Sequence, residues 1–207
     1  SKWTAWQAPL DKLDPDPAHR PRGHNLYRVS TATLRTHSSH VIPGGMIASL
    51  SIPWGASKGD DDLGGYHLVW PRDLVQTANG MIAAGARDDA RLVLDYLRAI
   101  QESDGRWPQN SWLDGMAYWH GIQMDECAFP ILLVDQARSH GMISEEELST
   151  FWPMVRKAAG FIVRNGPSTS QDRWEEDAGY SPFTIAVEIA ALLAAAELAT
   201  LEGEEGT

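Results

Sequence analysis

One cysteine is all that this 207-residue chain contains. Cys127 has no partner within the chain, so no intrachain disulfide staples the fold and no multi-cysteine zinc site exists. Positive charge is also scarce. Seventeen Lys and Arg stand against 28 Asp and Glu, a net charge of −11. A surface that tracks phosphates needs clustered cations, so neither nucleic acid nor a membrane is an expected partner. Long apolar runs are missing. The longest, Ile189 to Ala196, falls well short of the roughly 20 residues that span a bilayer. The opening residues lack the charged-then-apolar pattern of a signal peptide. No phosphate-cradling glycine loop and no Gly-x-Ser-x-Gly elbow is present, and the seven histidines show no metal-ligand spacing. Asp60-Asp61-Asp62 lacks the spaced ligands of a calcium loop. No metal and no cofactor is therefore expected.

What the chain does have is apolar residues, 43% of the total, enough for a sizeable core. It also has tryptophan. Nine Trp outnumber five Tyr and four Phe. At least half of them are expected in the core. The rest suit a flat, partly apolar ligand such as a sugar ring, whose C–H faces stack on indole.

The pattern of apolar residues is mainly helical. Gly23 to about Thr36 repeats at three- and four-residue steps through Leu26, Val29 and Thr33. Pro71 opens a helix that Gly85 ends. Asp88 is the expected cap of the next, in which Ala90, Val93, Leu94 and Leu97 form one face, with its end near Asp104-Gly105. Another runs from about Asp125 to His140, kinked or started at Pro130. Ser144 and Glu147 make a capping box, and Pro153 is expected to start or bend a helix that stops at Asn165-Gly166-Pro167. Ser181-Pro182 opens a last helix to about Leu201, apolar on nearly every side and so expected to be buried on every side. Met46 to Trp54 reads as extended, and Gly105 to Met124 has no clean period. Residues 1–22 read as a lead-in broken by prolines, and Trp3 and Trp6 leave open whether it docks or is a linker. The expected class is all-α, built of helical hairpins, with the body of the domain at residues 23–207.

Three long loops, at 58–70, 105–124 and 167–181, alternate with shorter ones, which places them at one end of the hairpins. Each carries polar residues beside aromatics: Tyr66, Trp70, Arg72 and Asp73; Gln109, Asn110, Trp119, His120, Gln123 and Asp125; Asp172, Arg173, Trp174, Glu175, Glu176 and Asp177. Adjacent carboxylates next to Trp174 suit a general acid, which must hold its proton near neutral pH, but equally suit a solvated acidic loop. Arg72-Asp73 suits a grip on vicinal hydroxyls, or an ordinary ion pair at a helix start.

Three segments together resemble the catalytic-domain motifs of glycoside hydrolase family 15, the glucoamylases and bacterial glucodextranases. They are Gly65-Tyr-His-Leu-Val-Trp-Pro-Arg-Asp73, Trp107-Pro-Gln-Asn through Trp119-His-Gly-Ile-Gln-Met-Asp-Glu126, and Gln171-Asp-Arg-Trp-Glu-Glu-Asp-Ala-Gly-Tyr-Ser-Pro182. Ile47 to Gly55 is similar to the bacterial branch. The resemblance implies an (α/α)6 barrel, of which residues 23–207 would be the N-terminal portion, about half. It implies an exo-acting, inverting hydrolase that releases glucose from the non-reducing ends of α-glucans. Glu175 would be the general acid. Arg72 and Asp73 would grip the terminal glucose, with Trp119, Tyr66, Trp70, Glu176, Arg173 and Gln123 also binding substrate. The general base would lie beyond residue 207, so the partners implied are an α-glucan and the remaining half of the catalytic domain. A half barrel would leave the last helix partly exposed. A non-catalytic, glucoamylase-like sugar-binding or regulatory domain is the alternative reading, and a helical scaffold with every Trp in its core is a third.

Overall fold

The computed structural model describes residues 2–13, 25–50 and 65–204. The Asp60–Asp62 run, Trp54 and the prolines from 15 to 21 lie outside these residues. The architecture is all-α. Helix α1 covers Lys2–Gln7 and is followed by a 3-10 turn, Ala8–Leu13. Then come α2 (Leu26–Thr36), α3 (Pro71–Ala84), α4 (Arg87–Ile100), α5 (Met124–Ser139), α6 (Glu145–Asn165) and α7 (Pro182–Leu201).

Local chemistry sets most ends. Pro71 and Pro182 stand at the start of α3 and α7, where the missing N–H costs nothing. Gly85 closes α3 in the left-handed conformation. Ser144 and Glu147 exchange hydrogen bonds as a reciprocal cap on α6. Two expectations need correction. Asp88 is not the cap of α4: that position belongs to Ala86, and Asp88 and Asp89 occupy the first turn, where the helix dipole favours carboxylates. Pro153 does not start the helix: it lies inside α6, which begins at Glu145. Buried Leu148, Phe151, Trp152, Met154 and Val155 hold the backbone on both sides of it. Ser149, four residues earlier, loses its carbonyl's partner but is exposed to water.

Helix α5 is the hub. It packs against α3, α6 and α7, and nearly all of its residues from Met124 to Val134 are buried. Helix α7 is not buried on every side, but partly exposed, as expected of an inner helix in part of a barrel. One face of α7, including Val187, Ala191 and Leu198, packs on α5 and α6, while Ile189 and Leu193 on the other face are exposed. By length and composition α7 is apolar enough to cross a bilayer. It is nonetheless packed on its neighbours along one side, with Glu188 buried there and Glu197 paired to Arg138.

Short backbone pairings bring the three long loops together. The segment after α4 contains a small antiparallel pair, β1 (Asn110–Ser111) and β2 (Ala117–Trp119). Val69 exchanges two backbone hydrogen bonds with Ser111, fastening the approach to α3 onto this pair. Thr169 and Gly179 exchange another two, closing the loop before α7. Met46 bridges to Ser38, and Ala48 and Ser49 donate to the carbonyls of Leu68 and Tyr66. The lead-in docks: Trp6 donates through Nε1 to Asp89 at 2.8 Å and lies under the Arg35 guanidinium.

Candidate active site

A cavity of about 740 Å³ lies where those loops meet. Tyr66, Trp70, Arg72, Asp73, Trp119, Arg173 and Glu175 all line it, together with Gln76, Thr77, Trp174 and Phe183. Residues far apart in sequence, from Ala48 to Phe183, therefore share one space. Two of the expected binding residues do not line it. Gln123 is buried behind the wall, and its side-chain oxygen accepts from Arg72 Nη1 at 2.8 Å. Glu176 is exposed, one step along the loop from Glu175.

Arg72 is the second residue of α3. Its side chain is 16% exposed and its Nη1 donates to Asp125 at 2.7 Å as well as to Gln123. Glu126 Oε1 lies 3.1 Å from the same nitrogen, and Glu126 Oε2 accepts the backbone N–H of Arg72. Burial acts to lower the pKa of the guanidinium, but Glu126 and Asp125 more than offset it and hold it above its ordinary value. Burial pushes the Glu126 carboxyl well above the usual carboxylate range, although Arg72 opposes the change. Asp73, on the next residue of the helix, is half-exposed, with its carboxylate 4.0 Å from Arg72 Nε.

The opposite wall is a loop. Glu175 is half-buried, and its Oε1 accepts from Trp70 Nε1 at 2.9 Å. Its backbone has φ = 67°, the left-handed region that a residue with a side chain rarely enters. Asp172 holds it there. The Asp172 carboxylate accepts from the N–H groups of Trp174 and Glu176 at 2.9 and 3.1 Å, and its carbonyl accepts from Glu175 N. Those hydrogen bonds keep the Asp172 carboxyl below its ordinary pKa, the bond from Glu176 N–H counting most. Strain of this kind persists only where surrounding contacts over-determine it, as they do around Glu175.

Aromatic rings form the rim. Trp119 is 48% and Trp174 68% exposed. Trp119 is propped by Tyr118, which in turn meets Trp112 edge-to-face at 5.2 Å. The Arg173 guanidinium sits between the rings of Trp174 and Phe183, 4.5 and 4.7 Å from their centroids. Only some of the tryptophans expected in the core are there: Trp70, Trp107 and Trp152 are buried, while Trp3, Trp119 and Trp174 are exposed. Gly121 has no side chain to spare, since a Cβ there would lie 2.3 Å from the Gln109 side-chain oxygen.

Sequence reasoning gave no role to Asp125 and Glu126, although both stand in a quoted motif. Gln76 and Thr77 were also missed, yet they follow Arg72 and Asp73 by four residues on α3 and so share their face.

The family model described as Glycosyl hydrolases family 15 matches residues 21–106 and 102–207. The chain belongs to that family. It is 46% identical over 178 residues to a glucoamylase of Clostridium sp. (strain G0005), covering 86% of this chain and 24% of that protein. It is 25% identical over 131 residues to an uncharacterized glycosyl hydrolase of Methanocaldococcus jannaschii, covering 61% of this chain and 21% of the other. Among solved structures, a bacterial glucoamylase complexed with acarbose superposes with a TM-score of 0.79 at 43% identity, over 88% of this chain and 26% of that one. The helical hairpins of this family 15 chain are thus part of an (α/α)6 barrel. The chain spans about a quarter of the length of the relatives it matches.

Proposed function

We propose that residues 23–207 form the N-terminal portion of the catalytic domain of an exo-acting, inverting α-glucan glucohydrolase of the glucoamylase type. One observation carries the reading: the Glu175 carboxyl and the Arg72-Asp73 pair line a single cavity whose rim is aromatic. The similarity to a glucoamylase, and to one that binds acarbose, supports it.

In this reading an α-glucan enters by its non-reducing end. Arg72 and Asp73 hold the hydroxyls of the terminal glucose through charge-assisted hydrogen bonds. Trp119, Tyr66 and Trp70 pack on the sugar faces, with Arg173 beside them. Glu176 meets hydroxyls further out. Glu175 gives its proton to the glycosidic oxygen as the C1–O bond breaks. Water attacks C1 from the opposite face, and a carboxylate from beyond residue 207 takes its proton, which inverts the anomeric carbon.

The test uses the full-length protein on maltose, isomaltose and maltohexaose, with products followed by proton NMR. Glucose as the first product, appearing as the β-anomer, supports the proposal. First-formed α-glucose, or cleavage inside maltohexaose, overturns it. Binding of maltose without hydrolysis would make this a sugar-binding domain instead. The isolated 207-residue chain is expected to hydrolyse none of the three.

A further inference from the structure

Helix α3 begins in an unusual way. The residue at its cap position, Trp70, offers no side-chain hydrogen bond, and Pro71 has no N–H. The first helix N–H that needs a partner is therefore that of Arg72. Its partner comes from another helix: Glu126 Oε2, 54 residues away in sequence and fully buried in the first turn of α5. The other oxygen of the same carboxylate stands 3.1 Å from Arg72 Nη1 without a hydrogen bond of its own. The two protons of Nη1 are engaged by Gln123 and Asp125, at 2.8 and 2.7 Å. One turn of α5 thus holds Arg72 at both ends, by its backbone and by one edge of its guanidinium. The remaining edge, Nε and Nη2, is turned away from that cradle, towards Asp73 and the carbonyl of Arg173.

We propose that Glu126 is the positioning residue of Arg72: it sets where the outer edge of the guanidinium, Nε and Nη2, points in the cavity, and so how firmly the terminal sugar is gripped. This rests on the reading of Arg72 as a sugar-binding residue. Glu126 lies behind Arg72 and does not line the cavity itself. A plain helix cap would need only an acceptor oxygen for the Arg72 N–H. Positioning also needs an acceptor oxygen opposite Nη1, because an amide NH2 there would set donor against donor.

Glu126→Gln separates the two roles. The amide oxygen still caps α3, while the second oxygen, opposite Nη1, is replaced by an NH2. In the full-length enzyme the variant is expected to lower kcat/KM on maltose by up to about 10²-fold, mostly through KM, with little change in the thermal midpoint. In an Arg72→Lys background the same substitution should have almost no further effect, because the group it acts through is gone. A wild-type KM, or an undiminished loss in the Arg72→Lys background, overturns the proposal. A crystal structure of Glu126→Gln gives a readout independent of turnover. The guanidinium should have shifted relative to Asp125, and an unmoved guanidinium also overturns it. Should wild-type protein neither bind nor hydrolyse maltose, the glucohydrolase reading fails, while the crystal structure still judges the positioning claim. If the Gln variant does not fold, Glu126→Asp takes its place in the same cycle. It keeps both carboxyl oxygens but falls about 1.5 Å short of both contacts, one C–C bond.

Discussion

The wall that carries Arg72 is made of the first turns of α3 and α5, with Gln123, Asp125 and Glu126 buried behind it. The wall that carries Glu175 is a loop whose Arg173, Trp174, Glu176 and Asp177 are all exposed. The first wall is fixed by the core of the molecule, so it suits a rigid grip on a ligand. The second is fixed by Asp172 beneath it, by hydrogen bonds from Trp70 and Arg72, and by Arg173 against the Phe183 ring. If Glu175 is the proton donor, its placement depends on a few named contacts, which can be removed one at a time. Substitutions on the loop should act on kcat. Substitutions on the helix wall should act on binding.

The strongest way to break this contrast is at Glu175 itself. In the full-length protein, Glu175→Gln should cut turnover of maltose by about 10²–10⁴-fold while leaving maltose affinity nearly intact. Glucosyl fluoride, whose leaving group needs little protonation, should lose far less. Steady-state kinetics on both substrates, with calorimetric binding of maltose, checks this. Near-normal maltose turnover would remove Glu175 from the acid role and put Asp172 or Glu176 in its place.

Asp172→Ala comes next. It deletes the acceptor for two backbone N–H groups, at Trp174 and Glu176, each hydrogen bond worth about 0.5–1.5 kcal/mol. The left-handed backbone at Glu175 then lacks its support, and kcat should fall roughly tenfold, about 1.4 kcal/mol, with KM changing less. Asp172→Asn keeps the acceptor oxygen and should recover most of the loss. Equal losses in the two variants would show that the carboxylate acts on substrate and not on the loop.

Trp70→Phe is a smaller change, since it removes the Nε1–H donor to Glu175 but keeps a ring packed against Tyr66. A single lost hydrogen bond of about 1 kcal/mol predicts a drop of several-fold in kcat on maltose. A drop confined to KM would place Trp70 with the gripping wall instead.

Much of the scaffold was legible because it depends on neighbours in sequence. Ser144 with Glu147, Ser181 with Pro182, and Pro71 with Gly85 each mark a helix end through contacts a few residues long. The α4 stripe of Ala90, Val93, Leu94 and Leu97 was read from spacing alone, and all four are buried. Where distant residues decide, the pattern was silent. Pro153 reads as a breaker until the buried side chains on both sides of it are known. The pair β1 and β2 is too short to show a period of two. Loop lengths put the three long loops at one end, but which side chains meet there, Arg72, Trp119 and Glu175, is implied only by the motifs shared with a family. The spacing of Gln123 and Glu126 from Arg72, more than 50 residues, hides their link to it.

The two walls should also answer pH in opposite directions, and this is the smallest effect expected. Behind the helix wall, burial raises the pKa of Glu188 on α7, with the Asp125 carboxylate adding to it, and Glu126 is raised as well. A carboxyl whose folded pKa lies above its unfolded value, near 4.3 for Glu, binds its proton more tightly in the folded state. Its stabilising contribution is complete below about pH 4.3 and is lost as pH rises through the folded value. Asp172 on the loop is the reverse case. Its folded pKa lies below the unfolded value of about 3.9, so its contribution is present above that pH and is lost as pH falls through the folded value. Glu188→Gln cannot ionise, so relative to wild type it should gain stability as pH rises from about 4.5 to 8. Asp172→Asn should show no such drift in that range, and should close its gap to wild type only below about pH 4. Thermal midpoints of the full-length protein and the two variants, measured from about pH 3 to 8, test both signs. A Glu188→Gln curve parallel to wild type across the upper range would show that the wall does not store this carboxyl's proton. A drift of Asp172→Asn above pH 5 would mean that the loop's order rests on some other group.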